Sequence, residues 1–199
     1  MTFTETPPLE NEFARLEPLS SSHAEDLAEA VAVGDLWRIW YANVPTPEGM
    51  LEEIETRLDK QREGALAPWA ILDPSRGKAI GMTTYLNIDA DNRRVEIGST
   101  WMGKEAQGTG VNPGAKLLLM TRAFEQLDCI GVEFRTHFHN HRSRAAIARL
   151  GAKQDGILRS HMLWRDGTRR DTVVFSVTDS EWPTVKFGLE QRLARRSAV

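Results

Sequence analysis

Residues 107–112 read Gln-Gly-Thr-Gly-Val-Asn, and Pro113 then opens an apolar run at helical spacing: Leu117, Met120, Phe124 and Leu127. A glycine loop running into a helix start can build a phosphate site. Glycine lets the backbone come close to an anion, and the unpaired N–H groups and positive dipole end of the helix point at it. Asn112 reads as the N-cap and Pro113 as the first helical residue, where a missing N–H costs nothing. The plain alternative is a tight strand-to-helix turn with no ligand. Two nucleotide readings fail: the Gly-Lys-Ser/Thr ending of a P-loop is absent, and Asn112 stands where a dinucleotide fingerprint needs its third glycine.

Further chemistry is concentrated between Glu96 and Ser143. Glu96 lies in Val95-Glu96-Ile97-Gly98, a strand whose apolar neighbours should face the core, so the carboxylate projects from the other face. There it is either a solvated residue paired with Arg93 or Arg94, or a general base beside the phosphate loop. Asn140 and Ser143 open a helix rich in small residues, Ala145, Ala146 and Ala148. Asn140 reads as its N-cap, and the small residues would let a linear ligand pass close by. His137 and His139 share a strand face, with His141 just behind. No cysteine or carboxylate spacing completes a metal set, so no metal is expected, and His137 is instead a rival base.

The elements that must position these residues alternate between strand and helix. Residues 13–19 alternate as a half-buried strand, and serines 20–22 offer caps for a helix over 22–33. The stretch 35–64 reads as helix, broken by Pro45 and Pro47 and resuming over 48–62. A hairpin joins 69–72 to 79–88 through Asp73-Pro74-Ser75-Arg76-Gly77. A strand over 94–102 leads to the glycine loop, a helix over 113–127, a strand over 132–139 and a helix over 142–150 stopped by Gly151. Strands over 157–164 and 172–177 flank the turn Asp166-Gly167, and a last helix covers 181–195. Consecutive hairpins followed by a strand-helix-strand unit predict an α+β fold around one largely antiparallel sheet.

A chain of 199 residues, 41% hydrophobic, supports one sizeable core and hence one domain. Its core is read as 13–182, with an N-terminal segment over 1–12 and a C-terminal helix over 180–196. The net charge of −3 gives no broad footprint for nucleic acid, and Arg192, Arg195 and Arg196 read as a solvated last helical turn. The single Cys129 excludes an internal disulfide framework and fits a reducing compartment. No apolar stretch approaches membrane-spanning length, and residues 1–12 offer no hydrophobic export segment. A soluble, cytoplasmic protein without membrane or nucleic-acid partners is expected.

In these motifs the chain resembles the GCN5-related N-acetyltransferase (GNAT) family, and within it the RimJ/RimL group of protein N-terminal acetyltransferases. The family's loop is Gln/Arg-x-x-Gly-x-Gly/Ala; Gln107, Gly108, Thr109, Gly110 and Val111 match five of its six places, and Asn112 departs at the sixth. The later Asn-x-x-Ser followed by Leu-Gly matches Asn140, Ser143, Leu150 and Gly151, and the terminal hairpin from Asp166 to Ser176 is also similar. The resemblance implies the GNAT fold, a mostly antiparallel mixed sheet of about seven strands with helices on both faces. It also implies transfer of acetyl from acetyl-CoA, as cosubstrate, to a primary amine.

The roles that follow are those the resemblance implies. Backbone N–H groups of residues 107–112 hold the pyrophosphate, Thr100, Trp101 and Met102 pair with the pantetheine arm, and Asn140 hydrogen-bonds that arm. Glu96 matches a strand position where several members keep a general base. Many members carry a tyrosine acid where Ile147 stands here, which leaves Ser143 as the candidate to meet the CoA sulfur. Trp37, Trp40 and Tyr41 fall in the region that covers the acceptor site; their plain reading is helix core. Three readings stay open: an acetyltransferase for protein N-termini such as those of ribosomal proteins, one for small amines (amino acid conjugates, aminoglycosides or polyamines), and a non-enzymatic CoA-binding module. The C-terminal helix could serve as a homodimer element.

Overall fold

A β-strand that buries both faces needs a layer of helices on each side, and β3 (Ala67–Leu72) is buried along its whole length. In this computed structural model, which describes residues 2–197, β3 belongs to an eight-stranded sheet. The others are β1 (Leu9–Asn11), β2 (Ala14–Pro18), β4 (Ala79–Asp89), β5 (Arg94–Met102), β6 (Gly131–His137), β7 (Lys153–Leu163) and β8 (Arg169–Thr178). The spatial order is β1-β2-β3-β4-β5-β6-β8-β7. The class is α+β, as expected, and β1 is a strand that the sequence reading did not identify.

Five α-helices cover the sheet: α1 (Ala24–Ala32), α2 (Met50–Arg62), α3 (Val111–Thr121), α4 (His141–Ala148) and α5 (Trp182–Ser197). Strand alternation sends Trp69 and Ile71 into one core with Ala115 and Leu119 of α3 and Leu189 of α5. Ala70 and Leu72 join a second core with Leu27 of α1 and Ile54 of α2 on the opposite face. α3 continues into a π-helical turn, Arg122–Gln126, whose first residue is fully buried and donates to the carbonyls of Thr2 and Glu5.

Two sequence expectations need correction. The stretch around Trp37, Trp40 and Tyr41 is not an α-helix. Gly34 and Asp35 adopt left-handed φ values of 86° and 53°, which end the helical path, and only a 3-10 turn over Leu36–Arg38 follows. Second, α3 begins at Val111 with Gly110 as its N-cap, so Asn112 is the second helical residue rather than the cap. Pro113 still falls in the first turn, where its missing N–H has no partner to lose.

β5 carries the two irregularities that make a site. It pairs in parallel with β6, its α3 crossover partner, only through Arg94, Val95 and Glu96, and beyond Glu96 the strands part. On its other edge the register with β4 jumps from Met82–Trp101 to Thr84–Gly98, and Ser99 takes φ 45° in the bulge.

Candidate active site

Where β5 and β6 part, a cleft of about 890 Å³ opens, bounded also by the glycine loop, the start of α4 and the start of β8. Thr100, Trp101, Met102, Gln107, Gly108 and Thr109 all line it, as do Asn112 and Asn140.

At the loop end, Gln107 Nε2 donates to the Met102 carbonyl at 2.9 Å and ties the loop to β5. The Thr109 hydroxyl donates to the Ala106 carbonyl at 2.6 Å and accepts the Val111 N–H at 3.2 Å. The N–H groups of Gly108, Thr109, Gly110 and Asn112 donate to no protein group among the described residues. The two glycines are there for different reasons. Gly108 has φ +79°, whereas a Cβ on Gly110 would stand 2.5 Å from the Phe13 ring, so Gly110 is fixed by packing. Gly110 and Val111 face a second hollow and do not line the main cleft.

Of the three C-terminal arginines read as a solvated helix end, Arg195 is exposed as expected, but Arg192 and Arg196 are engaged. α5 returns to the loop, where Arg196 Nη1 donates to the Gly108 carbonyl at 2.9 Å and Arg192 Nη1 to the Arg149 carbonyl at 2.5 Å. Both line the cleft together with Arg142 and Arg149, and none of the four has a carboxylate partner among the described residues. Four guanidinium groups beside unpaired N–H donors fit a polyanion such as the pyrophosphate of CoA.

Glu96 is 6% exposed and faces the cleft. Its Oε2 accepts from Asn87 Nδ2 at 2.7 Å and lies 3.5 Å from Arg135 Nε. Neither sequence-predicted partner is used, since Arg93 pairs with Asp128 and Arg94 with Glu133. Burial raises the Glu96 pKa above the usual carboxylate range, while the Asn87 hydrogen bond and the Arg135 charge pull it back. Room for the side chain comes from Gly98, where a Cβ would lie 2.7 Å from Oε1.

His137 is 4% exposed, and its Nδ1 accepts the His139 backbone N–H at 3.1 Å. Burial first, then the charges of Arg170 and His139, hold its pKa below the ordinary histidine value. A neutral imidazole with Nδ1 accepting carries its proton on Nε2, so the free nitrogen is a donor. Asn140 caps α4 as read, its Oδ1 accepting from Ser143 N at 3.0 Å, and the half-buried Ser143 also lines the cleft. Among the described residues no group of three or more His, Cys, Asp or Glu is placed to hold a metal.

Lys116 is a site residue that the sequence reading missed. It is 5% exposed on α3, with Nζ 2.6 Å from Thr100 Oγ1 and 3.1 Å from Thr83 Oγ1, and burial lowers its pKa to about 7. Its position four residues before Met120, on the apolar helical face, was the available signal.

At the other end, Tyr41 lines the cleft while Trp37 and Trp40 stand outside its lining. Trp40 is 49% exposed and packs edge-on against His137, with 5.1 Å between ring centroids. The β7–β8 tip is tied to this segment: Trp164 Nε1 donates to the Trp40 carbonyl at 2.5 Å, and Arg165 Nη2 to that of Ile39 at 2.8 Å.

Comparison with known proteins settles the family. The family model described as acetyltransferase (GNAT) domain matches residues 14–153, more than half of the chain. The chain belongs to the GNAT family. A GCN5-related N-acetyltransferase from Brucella melitensis superimposes with a TM-score of 0.86 at 34% identity, covering 95% of this chain and 86% of its own. YdaF of Bacillus subtilis, provisionally named a ribosomal N-acetyltransferase, is 36% identical over 53% of this chain. The ribosomal protein uS5-alanine N-acetyltransferase of Escherichia coli is 23% identical over 67% of the chain. The matched regions span 57% and 66% of those two relatives. The GNAT match ends at residue 153, so β8 and α5, which bring Arg170, Arg192 and Arg196 to the cleft, lie beyond it. None of the helices of this GNAT chain, among the described residues, is long and apolar enough to cross a membrane.

Proposed function

We propose that this GNAT chain is an acetyl-CoA-dependent N-acetyltransferase acting in the cytoplasm on a protein N-terminal α-amine. The observation that carries the reading is Glu96: the only Asp or Glu lining the cleft among the described residues, and a buried one. The names borne by YdaF and the uS5-alanine enzyme support a ribosomal or other protein acceptor.

The free N–H groups at 108, 109 and 112, with Arg142, Arg149, Arg192 and Arg196, hold the pyrophosphate end of the cosubstrate. The parted edge of β5 at Thr100, Trp101 and Met102 takes the linear arm, and a backbone N–H at Trp101 or Met102 stabilises the oxyanion. Asn140 meets the same arm with its amide. An amine attacks a thioester only when neutral. A peptide α-amine, with a pKa of about 7.7–8.0, gives up its proton far more readily than a lysine at about 10.4. Glu96 accepts that proton, directly or through water, and its raised pKa brings it closer to the amine it serves. His137, whose outward nitrogen is a donor, holds an acceptor oxygen rather than acting as base. The Ser143 hydroxyl meets the departing sulfur, and a thiolate near pKa 8.5 needs little more. Tyr41, with Trp40 edge-on against it, walls the acceptor, and Trp37 of the same segment packs on the second core.

The test is an acceptor panel read by CoA release: N-terminal peptides against small amines, for wild type and Glu96→Gln. The reading expects peptide-dependent release that Glu96→Gln abolishes. Release only with small amines would replace the acceptor class, and acetyl-CoA binding without any release would leave a binding module.

A further inference from the structure

The chain as a whole holds 25 Lys and Arg against 28 Asp and Glu, yet eight Lys or Arg side chains line the cleft with Glu96 alone on the acid side. Four of those side chains sit at the phosphate end, where the polyanionic cosubstrate accounts for them, and Lys116 is buried under β5 against the hydroxyls of Thr83 and Thr100. Lys60, Arg135 and Arg170 remain, and the cosubstrate's phosphates do not explain them.

Their partners differ. Arg135 is committed to Glu133 at 2.9 Å and to Glu96 at 3.5 Å. Lys60 comes from the final turns of α2. The side chain of Arg170, on β8 beside His137's partner Thr172, makes no hydrogen bond or ion pair among the described residues, and its Nε is buried without an acceptor. Its guanidinium carbon lies 4.8 Å from the centroid of the Trp164 ring, and the charge of Glu96 acts on it from a distance. A half-buried guanidinium whose Nε has no acceptor is poised to pair with an incoming oxygen, and a planar fork is matched best by a carboxylate.

We infer that Arg170 binds a carboxylate on the acceptor, so that this enzyme prefers amines carrying an acidic group within about one residue of the nitrogen to be acetylated. This rests on the transferase reading above. A polyamine or aminoglycoside would bring further positive charge into an already cationic mouth. The carboxylate has two sources, the side chain of an acidic residue next to a peptide N-terminus or the main-chain carboxylate of a free amino acid.

The experiment uses three peptides that differ only in having glutamate, glutamine or lysine at the second position, together with a free amino acid and its amide. Wild type is expected to favour the glutamate peptide over the lysine peptide by roughly 10- to 100-fold in kcat/KM. Arg170→Gln should erase that preference, and Arg170→Lys should restore part of it, with KM for acetyl-CoA unchanged in both. A free amino acid preferred over every peptide, and over its amide, would assign the carboxylate to the main chain. Preference for the lysine peptide, or a glutamate preference that survives Arg170→Gln, overturns the assignment. If wild type releases no CoA with any acceptor, the transferase reading fails on its own. Calorimetric titration of the glutamate peptide into CoA-saturated protein then tests Arg170, with equal binding by wild type and Arg170→Gln as the overturning result.

Discussion

Lys116 Nζ lies 2.6 Å from Thr100 Oγ1, beneath the bulge of β5, and no carboxylate stands within ion-pair distance of it among the described residues. The two threonines also bond each other, with 2.8 Å between Thr83 and Thr100 hydroxyls, so the amine is added to a pair already satisfied. Burial alone drives its pKa down from 10.5 to about 7.

That shift has a sign in stability. Between pH 7 and 10.5 the unfolded chain carries a proton on Lys116 that the folded chain lacks, so stability rises with pH across that window. Lys116→Met removes the dependence and leaves the threonine pair intact. It should be more stable than wild type at pH 6 and lose the advantage by up to about 1.4 kcal/mol per pH unit above pH 7. Thermal melts of both proteins from pH 6 to 9.5 check this; parallel slopes would mean that the lysine keeps its charge in the fold.

Glu96 gives a pH prediction for activity. Its folded pKa is raised, so the acid limb of kcat/KM, which climbs as the carboxylate loses its proton, sits above the ordinary value of 4.5. Asn87 stabilises the ionised form, so Asn87→Ala should move the limb to still higher pH. Glu96→Gln should remove the limb and lower kcat by on the order of 10² to 10⁴. A limb that survives in Glu96→Gln but vanishes in His137→Ala would transfer the base role to His137.

Gly98→Ala probes the same carboxylate without touching it. The new Cβ would lie 2.7 Å from Glu96 Oε1 and 2.9 Å from Leu86 Cδ1, so the carboxylate must move. The expected result is a fall in kcat with KM for acetyl-CoA unchanged, and a stability loss of about 1–3 kcal/mol. Unchanged kcat in a folded Gly98→Ala protein would argue that the position of Glu96 is not critical.

The α5 arginines predict a salt-dependent cosubstrate affinity. Arg192 is held below its ordinary pKa by burial and by the neighbouring charges of Arg149 and Arg196, a cluster that a polyanion relieves. Arg192→Ala with Arg196→Ala should raise KM for acetyl-CoA roughly 10-fold at low salt, less so at high salt, with kcat at saturation little changed. An effect independent of ionic strength would point instead to the lost Arg196–Gly108 hydrogen bond.

What the sequence made legible, and what it hid, follows from how local each signal is. The bounds of β5 and the cap at Asn140 depend on alternation and on residues a few places apart, and both hold in the structure. Asn112 misled because a good cap residue next to proline looks the same at the first or second helical place, and Phe13, distant in sequence, fixes Gly110 as the boundary. Beyond the place of Lys116 on an apolar helix face, Lys116 and Arg170 carry no local signal that marks them as site residues, and Arg196 reads in the sequence as part of a solvated helical turn. Only the threonines of β4 and β5, the ring of Trp164 and the carbonyl of Gly108 give these residues meaning. Trp40 was the reverse case, a tryptophan expected in a helix and found half exposed in a turn because Gly34 and Asp35 divert the chain.

The β7–β8 tip and the segment around Trp40 have no ladder between them, only side chains of Trp164 and Arg165 holding main-chain oxygens. The entrance for the acceptor is thus framed by two loops latched to each other, while the floor beneath is a paired sheet. Such a frame opens at far lower free energy than the sheet melts. Warming or mild denaturant should therefore blur the choice of acceptor before it weakens the hold on the cosubstrate, so that the enzyme grows indiscriminate while still loaded.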